Sequence, residues 1–145
     1  MATALHSGSS TRAYFRAGER DWLLTLSADL TGPITSGGQT QVALLAGAGL
    51  SRRLGAWTGH ALALAGPRWL DTARPEDPEW RLRAVPSIGV RLAAHRVIAR
   101  LGRGLHVMLA PSVTLLADLG RVRTVANGRA GGAFVYASLG IALGG

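Results

Sequence analysis

Between Trp22 and Leu30 the side chains alternate, with Trp22, Leu24, Leu26, Ala28 and Leu30 on one parity and Leu23, Thr25, Ser27 and Asp29 on the other. A period of two belongs to an extended strand, whose successive side chains point to opposite faces. Gly32-Pro33 predicts its end. After the polar link TSGGQT, a second strand is predicted with Val42, Leu44, Ala46, Ala48 and Leu50 opposite Gln41, Ala43, Leu45, Gly47, Gly49 and Ser51, and the link reads as a hairpin. Arg52-Arg53 then precede LGAWTGHALALAG, a third strand whose facing is open because Ala and Gly occupy both parities.

The cleanest alternation runs from Trp80. Trp80, Leu82, Ala84, Pro86, Ile88, Val90 and Leu92 share one parity; Arg81, Arg83, Val85, Ser87, Gly89 and Arg91 share the other. HVMLAPSVTLLADLG repeats the design, with Val107, Leu109, Pro111, Val113, Leu115 and Ala117 opposite His106, Met108, Ala110, Ser112, Thr114, Leu116 and Asp118. The region from Arg121 reads as a hairpin around Asn127-Gly128, closing with Val135, Ala137, Leu139, Ile141 and Leu143 opposite Phe134, Tyr136, Ser138, Gly140 and Ala142. Between these runs, Pro67 to Pro78 is rich in proline and acids and reads as a long exposed loop, the best placed to protrude and make contacts. RLAAHRVIARL, Arg91 to Leu101, fits either a short amphipathic helix or a turn with a short strand, and its neighbours favour strand. Thr11 to Ala17 adds a further short strand before a turn at Gly18-Glu19. The expectation is an all-β domain over residues 11–145 with about eight strands, give or take one, behind a polar tail over residues 1–10. A chain of 145 residues suits one such domain.

Strand length bears on the solvent. Trp80 to Leu92 spans 13 residues, roughly 43 Å when extended, whereas strands of water-soluble proteins usually hold about 5 to 6 residues. Tilted transmembrane strands need about 9 to 11 residues and alternate apolar-out with polar-in. The polar parity here is filled by Gly, Ala, Ser and Thr with a few Arg. That suits the side-chain-filled lumen of a small barrel better than the Lys- and Glu-rich outer face of a sandwich.

The runs WLLTLSADL, WRLRAVPSIGVRL, HVMLAPSVTLLADL and AFVYASLGIAL resemble the small outer-membrane β-barrel proteins of Gram-negative bacteria, particularly those of GC-rich, myxobacteria-like species; the likeness covers about Asp21 to Leu143. The resemblance implies an antiparallel up-and-down transmembrane barrel in the outer membrane, with a structural or narrow-pore (porin-like) role. Its partners would be the lipid bilayer and lipopolysaccharide. Two departures from the family leave a shortened chain, or a soluble β-barrel, as alternatives. The chain closes on IALGG where the family's last strand usually ends in an aromatic residue, and aromatics are only 6% of the residues. Interfacial girdles would rest on Trp22, Trp57, Trp69 and Trp80.

Composition adds exclusions. The chain is 48% hydrophobic, yet no stretch of about 18 apolar residues is available for a membrane helix. Cysteine is absent, which removes disulfides and thiolate metal sites. The first twenty residues lack an apolar h-region, so no signal peptide is read in this sequence. The net charge is +8 and all sixteen basic residues are Arg, but Arg52-Arg53 is the one adjacent pair, so no nucleic-acid patch is predicted.

His6, His60, His95 and His106 lack metal-ligand spacing, no Gly-x-Ser-x-Gly elbow or Walker motif occurs, and AGAGLSRR departs from the dinucleotide fingerprint at Arg52. No catalysis, cofactor or metal is therefore expected. The candidate site is the lumen, into which Arg81, Arg83, Arg91 and Arg123 would project, with Asp29 and Asp118 as counter-charges. Any channel there would slightly prefer anions. The alternative function is a soluble β-barrel module that binds an acidic or anionic ligand on its Arg-bearing face.

Overall fold

The computed structural model describes residues 6–16, 21–33, 41–71, 82–102, 104–120 and 132–144. Within them lie seven strands and no helix: β1 (His6–Arg16), β2 (Trp22–Pro33), β3 (Gln41–Leu54), β4 (Trp57–Asp71), β5 (Leu82–Arg100), β6 (His106–Asp118) and β7 (Ala133–Gly144). They form one sheet in sequence order, each strand antiparallel to the next, curled into a half-barrel. The edge strands β1 and β7 both start at the same end, so they run in the same direction, and no ladder joins them among the described residues.

Alternation along each strand becomes two faces of opposite chemistry. In β2, Leu23, Thr25, Ser27 and Asp29 are buried while Trp22, Leu24, Leu26 and Leu30 are exposed. The same holds in β5, where Val85, Ser87, Arg91 and Ala93 are buried and Ile88, Val90 and Leu92 are exposed, and in β6, where Ser112, Thr114 and Leu116 are buried and Val113 and Leu115 are exposed. On β7, Val135, Leu139, Ile141 and Leu143 stand exposed, Leu139 at 74%. The concave face thus collects the polar parity around a modest core of Leu23, Ala43, Leu45, Leu62, Leu64 and Leu116, and the convex face carries the large aliphatics.

The two ends of the sheet differ. Residues 17–21, 55–56 and 101–105 make three short connections at one end, against 34–40, 72–81 and 119–132 at the other. The tightest is Gly55-Ala56, where Leu54 faces Trp57 and Gly55 has φ of 63°. A positive φ at the first central residue is the type II′ pattern, which matches the right-handed strand twist and is open to Gly at no steric cost.

Curling also depends on missing side chains. A Cβ built on Gly49 would fall 1.9 Å from the Ala61 carbonyl oxygen, and one on Gly89 2.1 Å from that of Leu115. A side chain at either point would meet the backbone of the neighbouring strand and hold the two strands apart. Gly49→Ala is therefore expected to cost about 1–3 kcal/mol as an overpacked position. Urea titration of the folded protein, followed by tryptophan fluorescence, reads this out, and an unchanged midpoint would contradict it.

Several boundaries depart from the sequence expectation. β1 begins at His6, so half of the stretch read as a polar tail is strand. Arg52-Arg53 lie inside β3 rather than between strands. Pro67 to Asp71, read as the start of an exposed loop, continue β4, while residues 72–80 lie outside the described residues. Pro67 is tolerated because the β3–β4 register lapses there, passing from Ala43↔Arg68 to Ala46↔Ala65, so its missing N–H falls where pairing is interrupted. The ambiguous Arg91–Leu101 segment is strand as far as Arg100, with a bulge between Val97 and Ala99. β6 pairs directly with β7, and the hairpin expected around Asn127-Gly128 lies outside the described residues.

Candidate functional site: the polar lumen

Inward-pointing residues from all seven strands meet in three polar clusters stacked along the concave face. Nearest the long connections, Arg68 of β4 is 2% exposed and forms an ion pair with Asp118 of β6. Its guanidinium also donates to Gln41 Oε1 at 2.9 Å and lies 3.6 Å from the centroid of the Phe134 ring. Asp118 accepts further from Ser87 Oγ at 2.7 Å and from the Gly132 amide at 3.2 Å. A carboxylate taken out of water is tolerable when its lone pairs are used in this way.

The middle cluster centres on Arg91 of β5, whose side chain is 0% exposed. Its Nη2 donates to Asp29 Oδ2 at 3.0 Å and to the Tyr136 hydroxyl at 3.3 Å, and its Nε donates to Thr114 Oγ1 at 2.9 Å. Tyr136 in turn donates to Asp29 Oδ2 at 2.6 Å. β2, β5, β6 and β7 are thereby tied across the interior by charge-assisted bonds, which are stronger than neutral ones.

Toward the short connections, Arg12 of β1 donates to Ser112 Oγ at 2.7 Å and to Ser138 Oγ at 3.0 Å, reaching β6 and β7 from the opposite edge of the sheet. Beside it, His60 Nε2 and His95 Nδ1 lie 2.9 Å apart, with Tyr14 stacked on His60 at 5.7 Å between ring centroids. A cavity of about 320 Å³ opens below this cluster, lined by Asp21, Ser51, Arg53, Trp57, Thr58 and His95 among others. No group of three or more His, Asp or Glu among the described residues is placed to hold a metal ion.

Of the residues singled out from sequence, Arg91 and Asp29 are brought together, and Asp118 is brought to Arg68. Arg83 stands in β5 opposite Leu70, and its side chain is not described. Arg81 and Arg123 lie outside the described residues. Arg68 escaped the sequence reading because Pro67 marked its surroundings as loop, although Leu62, Leu64, Arg68 and Leu70 share one parity. The chain matches no protein-family model, no curated protein and no solved structure.

Proposed function

We propose that the chain is an outer-membrane β-barrel with a structural role. The observation that carries this reading is the inverted polarity: Arg68, Arg91, Asp29, Ser87 and Thr114 are buried, whereas Leu26, Ile88, Leu92, Leu139 and Ile141 are exposed. Water rewards the opposite arrangement, because a convex face this rich in aliphatics would drive association. Hydrocarbon rewards the arrangement found.

Two further features support a bilayer. Short connections at one end and long ones at the other follow the pattern of bacterial barrels, whose periplasmic turns are short and extracellular loops long. Trp57 and Trp69 share the outward parity of β4, twelve residues apart. This is about 40 Å along the strand and about 30 Å along a barrel axis at a tilt of about 40°. An apolar band about 25 Å tall fits between them.

A structural role is preferred to a pore because the lumen is occupied. Arg68 and Arg91 are paired with carboxylates rather than lining an aqueous path, so neither charge is available to select a passing anion. Planar-bilayer recordings of the refolded protein are expected to show no stepwise conductance. Steps of resolvable size would restore the narrow-pore reading. The functional proposal itself is tested by flotation with phospholipid vesicles after dilution from urea. The folded protein should float with the vesicles and resist extraction by alkaline carbonate, and a protein that stays folded and monomeric in water without detergent would contradict it.

A further inference from the structure

Resting on the membrane reading above, we propose that Arg52, Arg96 and Trp57 form a subsite for the headgroup of an anionic glycerophospholipid beside the β3–β4 turn. Arg52 follows the exposed parity of Leu44 and Leu50 in β3, and Arg96 that of Ile88, Val90 and Leu92 in β5, so both face outward like the aliphatic belt. Both are exposed. They flank β4 from either side, where Arg52 pairs with Gly59 and Trp57 pairs with Leu54. The Arg96 guanidinium lies 5.8 Å from the centroid of the Trp57 ring.

Charge is segregated between the two faces. Asp29 and Asp118 pair with Arg91 and Arg68 on the concave face. Asp21 shares the inward parity of β2 and lines the cavity at the mouth of the curl. No ion pair between an acid and Arg52 or Arg96 occurs among the described residues. Cations on an outward surface next to a tryptophan suit the level where ester groups and phosphates meet the acyl chains. An arginine fork matches a phosphate oxygen pair, and an indole face beneath it holds the guanidinium in place. The short-connection end is the end that bacterial barrels turn to the periplasm, whose leaflet is phospholipid. A phospholipid phosphate is therefore the occupant, in preference to lipopolysaccharide.

The test uses the full chain folded into vesicles of equal parts phosphatidylglycerol and phosphatidylcholine, then extracted and weighed with its bound lipid by native mass spectrometry. Each basic side chain near an anionic surface contributes about fivefold in partitioning, so two should favour phosphatidylglycerol by about 20-fold. R52Q/R96Q is expected to bring the ratio close to one, and W57A to lower it by about two- to fivefold. R53Q/R100Q removes the same charge. Arg53 lines the cavity and Arg100 pairs with His106 on the inward parity, so this variant should keep most of the preference.

Equal loss in both double variants would overturn the subsite in favour of overall charge. Loss of the preference on adding millimolar inorganic phosphate would overturn it in favour of a free-anion site, and selective retention of lipopolysaccharide over phosphatidylglycerol would overturn the choice of lipid. A chain that enters vesicles with no headgroup preference overturns the subsite alone, whereas a chain that enters no vesicle overturns the membrane reading as well.

Discussion

Arg91→Leu is expected to lower stability by about 3–5 kcal/mol, the usual cost of breaking a buried ion pair from one side. Asp29 would remain in the interior without the Arg91 guanidinium, and Thr114 would lose the bond it accepts from Arg91 Nε. The second expectation separates this from a packing defect. Asp29→Leu/Arg91→Leu should recover much of the loss, because two apolar residues of similar volume carry no charge to desolvate. Urea midpoints of the wild type, both single variants and the double variant in detergent complete the cycle. A single-variant loss below about 1 kcal/mol would mean that the pair is hydrated.

Ile88→Arg is the other large effect, and it is informative because Ile88 is 46% exposed on the convex face. It lies level with Ala65 of β4, between the levels of Trp57 and Trp69. Near mid-bilayer an arginine costs about 2–4 kcal/mol. On a surface facing water the same change would stay within about 0.5 kcal/mol. Alternation alone would not make this substitution decisive, since a water-soluble barrel with the aliphatic parity packed inside would also suffer. The observed facing removes that ambiguity. Measured in vesicles, a loss of at least 2 kcal/mol supports the bilayer account, and a neutral result contradicts it.

Where alternation is regular, the faces were legible in the chain. β2, β6 and the first part of β5 keep an apolar parity opposite a more polar one, so the strands and their division into two faces follow from the pleat, whereas which face is buried does not. The Arg91–Leu101 segment, read as strand with a helix as its alternative, is strand as far as Arg100, and its ambiguity has a definable cause: the bulge between Val97 and Ala99 slips the alternation by one residue, so the period of two breaks at Val97 and Ile98. Pro67 did mislead, since proline argues against a central strand unless the ladder lapses beside it, and the lapse is a property of the β3–β4 register.

The site was less legible than the strands. That Asp29 and Arg91 belong to the lumen follows from parity, but that they meet does not. They stand on β2 and β5, and only the curl of the whole sheet brings them within 3.0 Å. Arg12 and Ser138 are further apart still, on the two edge strands. Arg68 needed both the extension of β4 and that curl before Asp118 came within reach. Cross-barrel contacts of this kind depend on stagger and closure, which no local pattern encodes.

The central claim is that the aliphatic convex face meets hydrocarbon, and depth-dependent quenching tests it most directly. The chain has no native cysteine to remove, so single cysteines can carry an environment-sensitive fluorophore at Ile88, Val113 or Leu139, and in a second set at Ser87, Ser112 or Ser138. The first three lie on the exposed parity of β5, β6 and β7, and the second three are one residue away on the concave parity. In vesicles bearing quenchers on the acyl chains, the account predicts strong quenching of the first set and little of the second. Equal quenching of both sets, or none in either, would contradict it.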